Sequence, residues 1–266
     1  MKRRKFLKSG LGVGAAYMMS TVPSNPFAIS KPEEENSLEG SLSPGEVVPF
    51  EAFVLDKSLQ PHSVIELCAL EPKAKVILLC IYGGRVPKQD DRLGGIWCPD
   101  SFEDLHIVRY LHLKYQPEQI RIAPIACPPV YSSHYYGFEQ RVFLDEPDDS
   151  KKFQDSVAAF MDNTEKLFVD GYLPVPSYYD VRHRLLFNRR EDLQPGAGYG
   201  VIHAWQGRFR GNGDTQRYGT PTIWLLDATG RVLNEPFWGN FYHSDPFQVR
   251  YTISDVDRAI EQNLRS

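Results

Sequence analysis

The chain has 266 residues, 42% of them hydrophobic, with four cysteines and a formal net charge of -4 at pH 7. That apolar content excludes wholesale disorder, no run of about 18 apolar residues is present to span a membrane, and the acidic balance argues against a nucleic-acid binder. Four cysteines over this length do not make a disulfide-stapled miniprotein, and a prior of about 150 residues per domain allows one large domain.

The first segment is basic from Lys2 to Lys8, then weakly apolar and Gly/Ala-rich from Leu11 to Val22. A basic start, a short apolar middle and a polar exit are the anatomy of an export signal. The run Arg3-Arg4-Lys5-Phe6-Leu7-Lys8 resembles a twin-arginine signal, with Lys2 where such signals often carry Ser or Thr. The resemblance implies passage through the twin-arginine export machinery and a periplasmic or extracellular destination. The alternative is a basic arm on a buried helix. Ala28-Ile29-Ser30 supplies small residues for cleavage, so residues 1–30 are expected to be a signal peptide. Its removal takes away five basic residues and no acid, leaving 236 residues at a charge of -9. Residues 31–46 are acidic and rich in Ser, Gly and Pro, as a flexible linker would be. One domain is expected over 47–266.

Within that domain, Ala52 to Leu55 and Ser63 to Leu67 alternate, which predicts two strands around a turn at Gln60-Pro61. Lys75 to Tyr82 is a continuous β-branched run ending at Gly83-Gly84, as a strand buried on both faces would be. Phe102, Leu105, Val108 and Leu111 recur at helical spacing, with Asp100 or Ser101 as the cap. Gln119 to Ala126 predicts a second buried strand, stopped by Pro128-Pro129. Phe153 to Phe168 predicts another amphipathic helix, and Pro174 to Tyr179 a weak strand. Residues 188–216 read as an insertion or lid. Pro221 to Asp227 predicts a strand, Ala228-Thr229-Gly230 a tight turn, and Arg231 to Leu233 the returning strand. A helix capped near Ser254 closes the chain. This order predicts an α/β sandwich with a central mixed sheet flanked by helices.

Chemistry concentrates at Gly94-Gly95-Ile96-Trp97-Cys98-Pro99-Asp100-Ser101. Cys98 falls at a loop-to-helix junction just after a buried strand. A helix N-terminus carries partial positive charge and unpaired N–H groups, which stabilise a thiolate. Pro99 suits the first helical position, and Trp97 can shield one side of the sulfur. The same window also fits an inert buried cysteine beside a core tryptophan.

Tyr218-Gly219-Thr220-Pro221 followed by Thr222 to Val232 resembles the second half of the thioredoxin-like fold. The similarity runs from about Val47 to Leu264 and is nearest in style to exported thioredoxin-like oxidoreductases and the redoxins. It implies a cis bond between Thr220 and Pro221, with Pro221 beside a reactive Cys98 and Trp97, Pro99, Thr220 and Pro221 lining the substrate groove. It implies thiol redox chemistry on a disulfide or peroxide, with no organic cofactor. Ser101 stands where a dithiol protein has its second cysteine, and Gly95 where a peroxiredoxin has threonine. Ten extra residues, Arg85 to Gly94, separate the strand from Trp97. Ser101 is expected to hydrogen-bond the thiolate.

Reactive groups of open α/β sheets gather at the carboxyl ends of their strands, which brings Cys127 to the same edge as Cys98. Cys127 is either a resolving thiol or a buried strand-end cysteine. Cys80 reads as an inert small hydrophobe, and Cys68 falls on an edge hairpin. Cys98-Pro99-Asp100 also resembles the copper-delivery Sco family, with Phe102 at the second cysteine position. His203 stands near the place of that family's distant histidine, so Cys98 and His203 make an alternative Cu(I) site in a non-catalytic module. His106 and His112 are expected on the solvent side of the helix. Arg208, Arg210 and Arg217 are either a solvated face or an anion-binding group.

Overall fold

Eight consecutive buried residues, Val76–Gly83, form strand β3 at the centre of the sheet. β4, Ile120–Cys127, lies beside it in parallel, and β6, Thr222–Leu226, flanks its other side antiparallel. The three strands are apolar on both faces because both faces are covered. This computed structural model describes residues 44–48, 52–86, 95–129, 142–182, 220–238 and 251–266. The expected signal, most of the linker, the 188–216 insertion, His203, Arg208, Arg210 and Arg217 lie outside the described residues.

The remaining strands are short: β1 Phe53–Leu55, β2 Pro61–Ser63, β5 Tyr178–Tyr179 and β7 Phe237–Trp238. Together the seven strands make one mixed sheet in the order β2-β1-β5-β4-β3-β6-β7. The helices are α1 Val64–Cys68, α2 Pro99–Lys114, α3 Val142–Asp145, α4 Lys151–Val169 and α5 Ile253–Arg265. The α/β class and central mixed sheet are therefore as expected.

Two successive crossovers step the same way along the sheet, β3 to β4 through α2 and β4 to β5 through α4. Right-handed crossovers in one direction put both helices on one face. Accordingly Leu78, Cys80 and Tyr82 of β3 pack with Val108 and Leu111 of α2, Phe160 of α4 and Ile260 of α5. The alternate residues Ile77, Leu79 and Ile81 face the thinner side, with Val64 and Leu67 of α1, Val48 and Trp224.

Three local expectations are corrected. Ser63 to Leu67 alternates, yet Val64–Cys68 is helical. Ser63 caps it by accepting from the Ile65 amide, while Glu66 accepts from the Ser63 amide at 2.9 Å. The reciprocal capping box outweighs a period-two pattern over so few residues. Cys68 is thus at a helix end and fully buried, not on a hairpin. After β6, Arg231 to Leu233 gives only isolated bridges, Val47 to Arg231 and Leu226 to Val232, and the paired edge strand comes later at Phe237–Trp238. Thr252, not Ser254, caps the last helix.

Val47 bridges Arg231, and the Val48 amide donates to the Gly230 carbonyl at 2.9 Å. Asp227 organises the turn there, its carboxylate accepting from the Thr229 and Arg231 amides at 2.7 and 3.0 Å.

Candidate functional site

The described residues on either side of the 87–94 segment pair with one another. Arg85 bridges Ile96, the Val86 amide donates to the Gly95 carbonyl, and the Trp97 amide donates to the Gly84 carbonyl. These bonds bring Trp97 and Cys98 back to the carboxyl end of β3. Gly95 makes the corner at φ +75, where a β-branched residue is an outlier. A threonine of the peroxiredoxin kind does not suit that backbone, so its absence has a conformational cause.

Cys98 is itself the N-cap of α2, with Pro99 following in the first turn. Neither Asp100 nor Ser101 holds that place. Cys98 is 9% exposed, and its thiol donates to the Thr220 carbonyl oxygen at 3.3 Å. The Thr220–Pro221 bond is cis, as the resemblance implied. Cys98 thus sits between the positive end of a helix, which favours the thiolate, and a carbonyl that accepts from the thiol.

Ser101 is fully buried, and its hydroxyl oxygen accepts from the Gly83 amide at 2.9 Å. It ties the first turn of α2 to the last residue of β3. The Trp97 indole N–H donates to the Cys127 carbonyl at 2.8 Å, which ties the same loop to the end of β4.

Gly83 is a site residue that sequence reasoning took only as a strand end. A β-carbon built on it would lie 2.6 Å from the Cys98 β-carbon and 2.8 Å from the Trp97 ring. Only glycine lets the reactive-loop candidate close onto the strand. The signal available in the sequence was the Gly83-Gly84 pair directly after an unbroken apolar run.

The four cysteines are all thiols. Cys127 ends β4 in register with Gly83 and is completely buried. Burial pushes its thiol well above the ordinary value, and the Asp180 carboxylate adds to the shift. Cys80 is shifted up in the same sense by burial, then by Asp104. Burial also pushes the Cys68 thiol up to about 12, with Asp227 contributing. His106 and His112 are exposed as expected. Phe102 is half-buried and meets His106 and Tyr172 edge-on or tilted. Among the described residues no three His, Cys, Asp or Glu side chains converge as a metal-binding group. A cavity of about 780 Å³ lies near the amino end of β4, beside Ile120, Arg121 and Tyr178, away from Cys98.

No family model matches the chain, and no curated protein does. Solved structures do align with it. A thiol:disulfide interchange protein of the thioredoxin family from Chlorobium tepidum is 14% identical, with 85% of this chain and 97% of that one covered at a TM-score of 0.37. BsSco, a member of the Sco family of cytochrome c oxidase assembly proteins, is 10% identical over 85% and 96% of the two chains at 0.37. An uncharacterized conserved protein from Geobacillus kaustophilus is 12% identical over 84% and 82% at 0.41.

Proposed function

We propose that this chain is an exported, thioredoxin-like thiol redox protein whose working group is Cys98, acting on a disulfide or a peroxide. The observation that carries the reading is the placement of Cys98 as the N-cap of α2, with its sulfur 3.3 Å from the Thr220 carbonyl. In the proposed step the Cys98 thiolate attacks one sulfur of a disulfide, forming a mixed disulfide and expelling a thiolate. On a peroxide it attacks oxygen, giving a sulfenic acid and releasing water or an alcohol. Trp97, Pro99, Thr220 and Pro221 form the proposed groove. Ser101 acts as a positioning residue for the turn that carries Cys98, not as a donor to the sulfur.

Export through the twin-arginine route to the periplasm or beyond rests on the Arg3-Arg4-Lys5-Phe6-Leu7-Lys8 run. It is tested by fractionating cells that express the wild type or the Arg3→Lys/Arg4→Lys variant. Retention of the variant alone supports the route; export of both overturns it.

The redox reading is tested by thiol trapping with mass mapping, for wild type and Cys98→Ser. Cys98 is expected to alkylate faster than Cys80 and Cys68, and to be found in a disulfide or sulfenate after mild oxidation. If Cys98 alkylates no faster than Cys80 and never appears oxidised, the reading is wrong. The low exposure of Cys98, 9%, favours a second reading in that event, a non-catalytic thioredoxin-like binding module.

A further inference from the structure

Gly83 pairs with Cys127 in the parallel register of β3 and β4, so a side chain on Gly83 would stand beside that of Cys127 on the same face. Cys98 fills that place: its β-carbon lies 2.6 Å from where a Gly83 β-carbon would be. Neighbouring strands run about 4.8 Å apart, so the β-carbons of Cys98 and Cys127 are within roughly 8 Å. A disulfide needs about 3.8 Å between them. The gap is closed by a shift of the α2 N-terminus of at most a few ångströms. No side chain on Gly83 stands between the two residues. The edge of the Trp97 ring is there, held by its hydrogen bond to the Cys127 carbonyl.

From this juxtaposition we propose that Cys127 is the internal thiol that resolves the adduct formed on Cys98, with the Trp97 ring as the group that must swing aside. The proposal rests on the redox reading of Cys98. Starting from a mixed disulfide, the Cys127 sulfur attacks the Cys98 sulfur. The Cys98–substrate S–S bond breaks, the Cys98–Cys127 S–S bond forms, and the substrate sulfur leaves with the electron pair. It takes up the proton that Cys127 gives up, so one substrate disulfide becomes two thiols and the protein dithiol becomes a disulfide. Burial holds Cys127 in the thiol form, so it stays silent toward external reagents, and its attack on the Cys98 sulfur requires that proton to pass to the departing substrate sulfur as the ring swings aside.

The test uses the full chain and the aromatic disulfide dithiodipyridine, which releases a chromophoric thiopyridone at each exchange. Wild type is expected to release about two equivalents: a first phase that scales with reagent, then a second whose rate is independent of reagent concentration. Mass mapping should then find Cys98 joined to Cys127. Cys127→Ser, or Cys127→Ala should the serine variant fail to fold, is expected to release about one equivalent and keep the mixed disulfide on Cys98. Cys80→Ala is expected to keep both phases. A second phase that is absent or rises with reagent concentration overturns the proposal, as does Cys98 joined to Cys68 or Cys80. Absence of the first phase overturns the redox reading itself, which keeps the two failures distinct.

Discussion

The Ser101 hydroxyl oxygen accepts the Gly83 amide at 2.9 Å, so the first turn of α2 is pinned to the last residue of β3. Ser101 is fully buried, and removing its hydroxyl leaves a buried N–H without that acceptor. Such a loss costs about 1–3 kcal/mol. Ser101→Ala is expected to lower the unfolding free energy by that amount, seen as a lower urea midpoint, and to change the alkylation rate of Cys98. A midpoint and rate equal to wild type would show that the tie does not hold the turn.

Gly83→Ala tests the close approach directly. The added methyl would meet the Cys98 β-carbon at 2.6 Å and the Trp97 ring at 2.8 Å, so the loop must move. Overpacking of this kind costs about 1–3 kcal/mol. The expected outcome is that loss in denaturant unfolding, with a shifted Trp97 fluorescence signal. An unaltered protein would mean the loop yields freely.

Much of this site was legible, and the reasons for the rest are local. The place of Thr220-Pro221 beside Cys98 follows from the resemblance alone, and the cis bond and the Cys98–Thr220 contact agree with it. Gly83 and Gly95 were not legible, since a glycine's reason for being glycine lies in what approaches it through space. Ser63-x-x-Glu66 spells a capping box, whereas alternation over five residues is too short to fix a period. Cysteine is not among the usual N-cap residues, so the sequence points to Asp100 or Ser101 where Cys98 caps α2. The long apolar runs, β3 and β4, needed no such help. Their burial on both faces follows from having no polar alternation to expose.

The buried thiols predict an alkaline limit. Burial pushes Cys68 up to about 12 and raises Cys80 and Cys127 well above the ordinary thiol value. In the unfolded chain each ionises near pH 8.5 or so, about the reference value. The folded state keeps protons that the unfolded state releases, so their contribution is full below about pH 8.5 and is lost as pH rises toward the folded values. Each thiol contributes a slope of about 1.4 kcal/mol per pH unit once the unfolded form is ionised. Urea midpoints measured from about pH 7 to 10.5 should fall steadily above the unfolded thiol value. A flat profile across that window would contradict the burial of these groups.

A weaker acid-side effect is expected at the α2–α5 contact. Asp257 accepts from Lys114 Nζ at 2.6 Å and from the Tyr115 hydroxyl at 2.7 Å. Burial pulls the Asp257 carboxyl up, but the hydrogen bonds from Lys114 and Tyr115 outweigh it and hold the group below the usual carboxylate range. Its contribution is therefore present above about pH 3.9 and is lost as pH falls through the folded value. For a partly exposed pair the expected cost of Asp257→Asn is about 1 kcal/mol or less at neutral pH. The difference between wild type and variant should shrink as the pH is lowered through that range, measured by thermal unfolding.

The strap of Val47 and Val48 on the Asp227–Gly230 turn has a mechanical meaning. Ile77 pairs with Leu226 and Ile81 with Thr222, so that turn lies at the amino end of β3, and Cys98 lies at the carboxyl end. The chain is moored at the pole opposite its reactive-cysteine candidate. A surface or fused partner joined at Gly45 would hold the domain at the turn pole and leave the Cys98 pole farthest from the attachment.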